Sequence, residues 1–285
     1  MKTDLKLLPG ILQWKIGNKK VTVINDSHFT AGEGYLTNLH ENGIADFLHE
    51  SYRPETPTLT TNVFLLESED HAPVLIDAGM GNKLSPDMNG HLLEALHFIG
   101  LKPEEIGTVL LTHLHGDHYY GLMSQNGEKS FPNAKIWVSD LEEHYWMDSH
   151  HTNSHDVQNA IDARESLDLY DRLEVSENKF LKGITPVPLP GHTPGHTGFL
   201  LESEGEKVLF CADILTIPAI QSVMPEIGFA TDADHTKAVN TRKEVLQKAA
   251  HERLLLAGPH FEFPCLSYVK VQGDGYALIP KQWLS

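Results

Sequence analysis

Cysteine is almost missing from this chain. Only Cys211 and Cys265 occur among 285 residues, so no disulfide framework staples the fold. Cationic side chains are scarce too. There are 22 Lys and Arg against 39 Asp and Glu, a formal charge of −17 with histidine neutral. So acidic a surface repels phosphate backbones, and no basic cluster relieves it, so no nucleic-acid partner is expected. Long apolar runs are also absent. The opening "MKTDLKLLPGILQWKIG" lacks a stretch long enough for a signal-peptide core or a membrane span. The expectation is a soluble, cytoplasmic protein with no membrane partner. There is no short-period repeat, low-complexity tract or linker, and one domain spanning residues 1–285 is expected. "GxSxG" does not occur, so no serine nucleophile is signalled.

Histidine is in excess, with 18 residues, on a background that is 40% hydrophobic and able to build a core. Apolar runs of strand length lie at 60–68, 72–79, 107–113, 134–140, 182–192 and 253–260. Two hairpins are expected, turning at Gly17-Asn18 and at Glu204-Gly205. Helical spacing marks "HLLEALHFIG" (91–100), "LEEHYWMD" after a cap at Ser139 or Asp140, and "HTKAVNTRKEVLQKAAHE" (235–252). "DLYDRLEV" (168–175) reads as a helix at a pocket entrance or at the contact of a homodimer. Strands alternating with helices over two halves suggest helices covering the outer faces of packed sheets.

The histidines fall where strands end. "HLHGDH" (113–118) follows the apolar run "TVLLT" and packs His113, His115, Asp117 and His118 into six positions. Imidazole and carboxylate suit zinc and related divalent ions. In an extended segment, residues two apart point the same way, so His113 and His115 can grip one ion. Gly116 lets the chain turn, and Asp117 and His118 then face another point. The bland alternative is a polar loop with Asp117 capping a helix. "PGHTPGH" adds His192 and His196, "KVLFCAD" ends on Asp213, and "LLLAGPH" ends on His260. These supply the ligands that one loop cannot.

"HLHGDH", "GHTPGH", Asp213 and His260, in that order, resemble the metallo-β-lactamase-fold hydrolases. "LIDAG" matches the family's first acidic motif at Asp77. "FPNAKIWVS", "GHTPGHTGFLL" and "GPHFEFPC" resemble the branch holding methyl parathion hydrolase and quorum-quenching lactonases. The resemblance implies an α/β fold, an αββα sandwich of two mixed sheets with helices outside. It implies two divalent ions, zinc by default with Mn, Fe or Co compatible. His113, His115 and His192 would hold one ion. Asp117, His118 and His260 would hold the second, and Asp213 would bridge them. Asp77 and His196 would support the ligands from behind.

Two ions about 3.5–4 Å apart can share a water whose pKa falls to near 7. The implied reaction is attack of that bridging hydroxide on a neutral ester-like small molecule: a lactone such as an acyl-homoserine lactone, an aryl or carboxyl ester, or a phosphotriester. Asp213 and Asp117 would be the catalytic carboxylates. The resemblance places an aromatic pocket wall at Trp146, whose plain alternative is core packing. Tyr119 or its neighbour Tyr120 is expected to reach the site. Thr216 stands where typical acyl-homoserine lactonases carry Tyr, though the methyl parathion hydrolase branch lacks that Tyr as well. "DSHHTNSHD" (148–156) reads as a solvated loop, with a third metal site as its alternative. A second function class remains open: a mononuclear iron oxygenase of the persulfide dioxygenase type, which resembles the same motifs and usually leaves the second site empty.

Overall fold

The computed structural model describes residues 10–31, 34–38, 45–54, 56–84, 88–148, 151–175 and 180–282. Its first sheet comprises β1 (Gly10–Ile16), β2 (Lys19–Thr30), β4 (Thr58–Glu67), β5 (Val74–Ile76), β6 (Thr108–Leu110) and β7 (Lys135–Trp137), neighbours in that order. Its second comprises β14 (Gly275–Pro280), β13 (Leu266–Gln272), β12 (Leu255–Ala257), β10 (Glu206–Phe210), β9 (Thr197–Ser203) and β8 (Ile184–Pro188). β3 (Leu36–Thr37) and β11 (Gly228–Phe229) form a separate ribbon. Parallel pairs β5–β6, β6–β7 and β10–β12 sit among antiparallel ones, so both sheets are mixed.

Strand alternation separates the layers. On β4, Phe64 and Leu66 enter the core between the sheets, while Val63 and Leu65 face the opposite side. Phe64 meets Phe210 across the inter-sheet core with ring centroids 4.9 Å apart. Such a tilted aromatic pair adds about 0.5–1.5 kcal/mol beyond area burial. Behind the first sheet pack α2 (Leu92–Phe98), through Leu92, Ala95 and Leu96, and α5 (Ser154–Asp168), through Ala163 and Leu167. α7 (His235–Glu252) lies against the second, burying Ala238, Arg242, Val245, Leu246 and Ala249 on one stripe. Asp234 caps α7 by accepting from the Lys237 amide. The result is the expected αββα sandwich. The short helices α1 (Ala45–Glu50), α3 (Gly116–Tyr119), α4 (Asp140–Met147) and α6 (Pro218–Gln221) lie in connections.

Both expected hairpins form, with Ile16 opposite Lys19 and Ser203 opposite Glu206. Ser139 occupies the cap position of α4, though its side chain makes no capping hydrogen bond. Two expectations are corrected. "DLYDRLEV" is not a helix: α5 ends at Asp168, and Arg172 forms an isolated bridge to Ile136 of β7. The solvated loop expected over 148–156 is already α5 from Ser154, capped by Asn153, whose side chain accepts from the Asp156 amide. Within it His151 donates to the Tyr145 carbonyl at 3.0 Å, and His155 lies near Asp156, so neither joins a metal-type cluster among the described residues. His150 and the opening residues 1–9 lie outside the described residues.

Candidate metal centre

β5, β6, β10 and β12 all end at one edge of the sandwich, and β4 and β9 begin there. Their connections therefore converge. β6 leads into "THLHGDH", β10 into Asp213, β12 into His260, and His192 precedes β9. Three donor groups result: His113, His115 and His192; Asp117, His118 and His260; and His113, His118 and Asp213. Within each group the ligand atoms lie within 4.8 Å of one another.

The ring nitrogens are aimed by partners behind them. His192 Nδ1 donates to Asp232 at 2.9 Å, His260 Nδ1 to the Thr60 carbonyl at 2.7 Å, and His118 Nδ1 to Asp77 at 2.8 Å. Thr112 gives its backbone N–H and its hydroxyl to the two oxygens of Asp77, leaving Thr112 Oγ1 free to accept from His113 Nδ1 at 3.0 Å. Each such bond leaves the Nε2 lone pair facing inward. His113 Nε2 and His192 Nε2 lie 3.0 Å and 2.9 Å from His115 Nδ1. Asp213 sits between the two histidine sets. Its Oδ2 is 3.0 Å from His260 Nε2 and 3.4 Å from His192 Nε2, and its Oδ1 is 3.4 Å from His118 Nε2. His118 Nε2 and Asp213 Oδ1 are buried without a hydrogen-bond partner among the described residues. Bare imidazole lone pairs at van der Waals contact, beside buried carboxylates, are what a divalent cation satisfies and little else does, so the residues fit one.

The electrostatics divide the cluster: the histidines crowded by other imidazoles lose their proton, whereas the carboxylates around His118 and His260 favour positive charge there, from a proton or a cation. Burial drives His113 and His115 well below the usual imidazole range, reinforced by neighbouring imidazoles. Burial also opposes charging His118, yet Asp117, Asp213 and Asp77 around it hold its pKa well above the usual value. Burial would raise Asp213, but His260, His118 and His113 hold it well below the carboxylate range. His196 is different. Its Nδ1 donates to the Leu189 carbonyl at 2.7 Å and its Nε2 accepts from the Asp213 amide at 2.9 Å. Both nitrogens are used, so no lone pair remains for an ion, and burial lowers its pKa to about 4. Asp77 and Ala212 adopt left-handed φ values of 62° and 47°, strained geometry of the kind that clusters at functional sites.

Three expected pocket residues are buried. Trp146, Tyr119 and Thr216 are 2%, 0% and 2% exposed. Trp146 sets its ring edge-on to His115 and stacks on His151. Its Nε1 donates to Glu142. Tyr119 donates to Asn159 in the core behind the metal loop. Gly116 has an ordinary backbone conformation; its smallness matters because a Cβ there would meet the Tyr120 ring.

Sequence reading missed several supports. Asp232 orients His192, and Thr61 Oγ1 donates to Asp117 Oδ2 at 3.3 Å. Asn62 Nδ2 donates to the Pro259 and Phe261 carbonyls on either side of His260. Buried Glu142 accepts from groups on both histidine loops.

Known proteins resemble this chain in sequence and in fold. An N-acyl homoserine lactonase of a Bacillus species is 24% identical over 205 residues, covering 65% of this chain and 76% of that protein. A hydrolase of the beta-lactamase superfamily, AbOPH, has a solved structure with a TM-score of 0.89 at 25% identity, covering 98% of this chain and 100% of that one. A dizinc quorum-quenching lactonase solved with its product N-hexanoyl-L-homoserine has the same fold, with a TM-score of 0.88 at 22% identity, covering 98% and 99%. The family model of the metallo-beta-lactamase superfamily matches residues 56–260, from the start of β4 to the last histidine of the cluster, and this chain belongs to that superfamily.

Proposed function

We infer that the chain is a dinuclear metal-dependent hydrolase of small neutral esters, lactones foremost. The observation that carries this reading is the meeting of two three-donor groups at Asp213. In this scheme His113, His115 and His192 would hold one ion, and Asp117, His118 and His260 would hold the other. Asp213 lies between the two groups and would serve both, and Asp77, Asp232 and His196 keep the candidate ligands in register. Zinc suits the nitrogen-rich set, with Mn, Fe and Co compatible. When bound, the ions supply an acidified water as nucleophile and polarise the oxygen of the electrophile. The protein's own part is orientation: hydrogen bonds behind His113, His118, His192 and His260 fix their tautomers, and Asp213 is placed to take up a proton released at the centre.

The cleft beside His260 supports the choice of substrate. It holds about 170 Å³, and Leu48, Pro54, Pro57, Ile217, Pro218 and Ala219 give it a largely apolar lining. Arg53 at its rim is paired with Glu262 at 2.5 Å, which leaves little free charge to attract an anion. The space is below the roughly 300–1,000 Å³ of drug-sized ligand sites, so a short acyl group fits it. The N-acyl homoserine lactonase relative and the lactonase neighbour point the same way.

The test pairs metal analysis with a substrate panel. Purified protein reconstituted with Zn²⁺ is expected to hold two ions per chain. Short-chain acyl lactones are expected to be hydrolysed faster than long-chain lactones, β-lactams or thioesters. A stoichiometry of one with oxygen consumption on a persulfide substrate would replace this reading with the oxygenase. A β-lactam or thioester as the best substrate would overturn the ester assignment.

A further inference from the structure

Glu142 lies on α4, outside every ligand motif, and is completely buried. A buried carboxylate is costly unless hydrogen-bonded, and this one accepts four bonds. Oε1 takes the Leu114 amide at 2.9 Å and Trp146 Nε1 at 2.8 Å. Oε2 takes the Thr193 hydroxyl at 2.6 Å and the Gly195 amide at 3.2 Å. The division matters. Leu114 lies between His113 and His115, whereas Thr193 and Gly195 lie between His192 and His196. One oxygen holds the first histidine loop and the other holds the second. The fit is close, since a Cβ on Gly195 would collide with the backbone of Glu142 itself.

We propose that Glu142 is a positioning residue that sets the spacing between the His113–His115 loop and the His192 loop, and so the affinity of the ion those three histidines share. The proposal rests on the metal-centre reading above. Asp117, His118 and His260 make no contact with Glu142 among the bonds described, so their ion should be insensitive to it. That asymmetry separates positioning from general support of the fold.

Two substitutions probe it. Glu142→Gln keeps the shape but turns an amide N–H₂ toward donors on one loop. Thr193→Val removes only the hydroxyl that reaches Oε2, at nearly constant volume. The probe is Co²⁺ alone, titrated into chelator-stripped protein against a competing dye, with the visible absorption bands recorded and the fold checked by circular dichroism. In Glu142→Gln one Co²⁺ is expected to bind about 10- to 100-fold more weakly, the usual cost of losing an orienting partner. Its bands should shift, while the other ion stays within about threefold of the parent. Thr193→Val is expected to weaken the same ion by a smaller factor, and it decides the matter if Glu142→Gln does not fold. Parental affinities and spectra in the folded variants, or equal weakening of both ions, would overturn the role of Glu142 alone. A parent that takes up no Co²⁺ would sink both this role and the metal-centre reading.

Discussion

His192 and His196 carry the same side chain four positions apart, and their hydrogen bonds separate them. His192 spends only Nδ1, on Asp232, whereas His196 spends both ring nitrogens. His192→Ala is therefore expected to lose an ion and nearly all hydrolysis. His196→Ala should keep both ions and lose about 10- to 100-fold in kcat/KM. Plasma emission analysis of the two variants checks this, and an ion lost from His196→Ala but kept by His192→Ala would reverse the assignment. At this scale the ligand candidates were legible because imidazoles crowded at strand ends have little other use. Their supports were not. Asp232 and Glu142 are single carboxylates, 40 residues from His192 and 28 from Leu114, and nothing in their local sequence marks them. Trp146 and Tyr119 are buried beside the cluster, and position near a ligand motif alone does not say whether a ring lines a pocket or packs in the core.

Among elements, periodicity located what was apolar and failed where the packed face was polar. α7 and α2 bury aliphatic stripes and were visible. α5 buries Asn159, Asp162, Ala163, Ser166 and Leu167, a correct helical stripe with one large apolar residue in it, so its pattern was silent. The polar stripe has a use at the histidine loop, where Asn159 Nδ2 donates to the Leu114 carbonyl at 2.7 Å. The cap of α2 was equally hidden. His91 at its start makes no side-chain cap, and Asp26, on β2, accepts from the Leu92 amide and the Met80 amide, each at 2.8 Å. Burial raises the Asp26 pKa to about 6, against the lowering effect of those amides and His91. Because the folded value lies above the unfolded one, Asp26 contributes stability that is full below about pH 4 and lost as pH rises through 6. The stability of the metal-free parent relative to Asp26→Asn should therefore fall by roughly 2–3 kcal/mol between pH 4 and pH 7.5. Urea unfolding of both proteins at the two pH values reads this out, and a constant difference would refute it.

At the scale of the molecule, layer order followed from the alternation of strands and helices, while which sheet each strand joined depended on pairing that no short window records. The candidate ligands come from both sheets, so bound ions should tie the two layers together at one edge. Ligand held at about 1,000 times its dissociation constant stabilises by about 4 kcal/mol, which for a chain of this size corresponds to roughly 8–16 °C in Tm. Chelator treatment is expected to lower Tm by that order, and re-addition of Zn²⁺ to restore it. An unchanged Tm would show that the ions do not bridge the layers energetically.

The division of the chain between sheets also has a consequence in time. Every strand of the first sheet lies within residues 10–137 and every strand of the second within 184–280. A nascent chain thus completes one layer, with His113, His115, Asp117 and His118 in hand, before His192, Asp213 and His260 exist. Until the second layer docks, an ion meets only a fragment of its coordination sphere and can leave again. Metal capture is then expected to follow the docking of the second layer, and a ribosome-stalled chain ending near residue 180 should exchange Zn²⁺ freely where the released protein retains it.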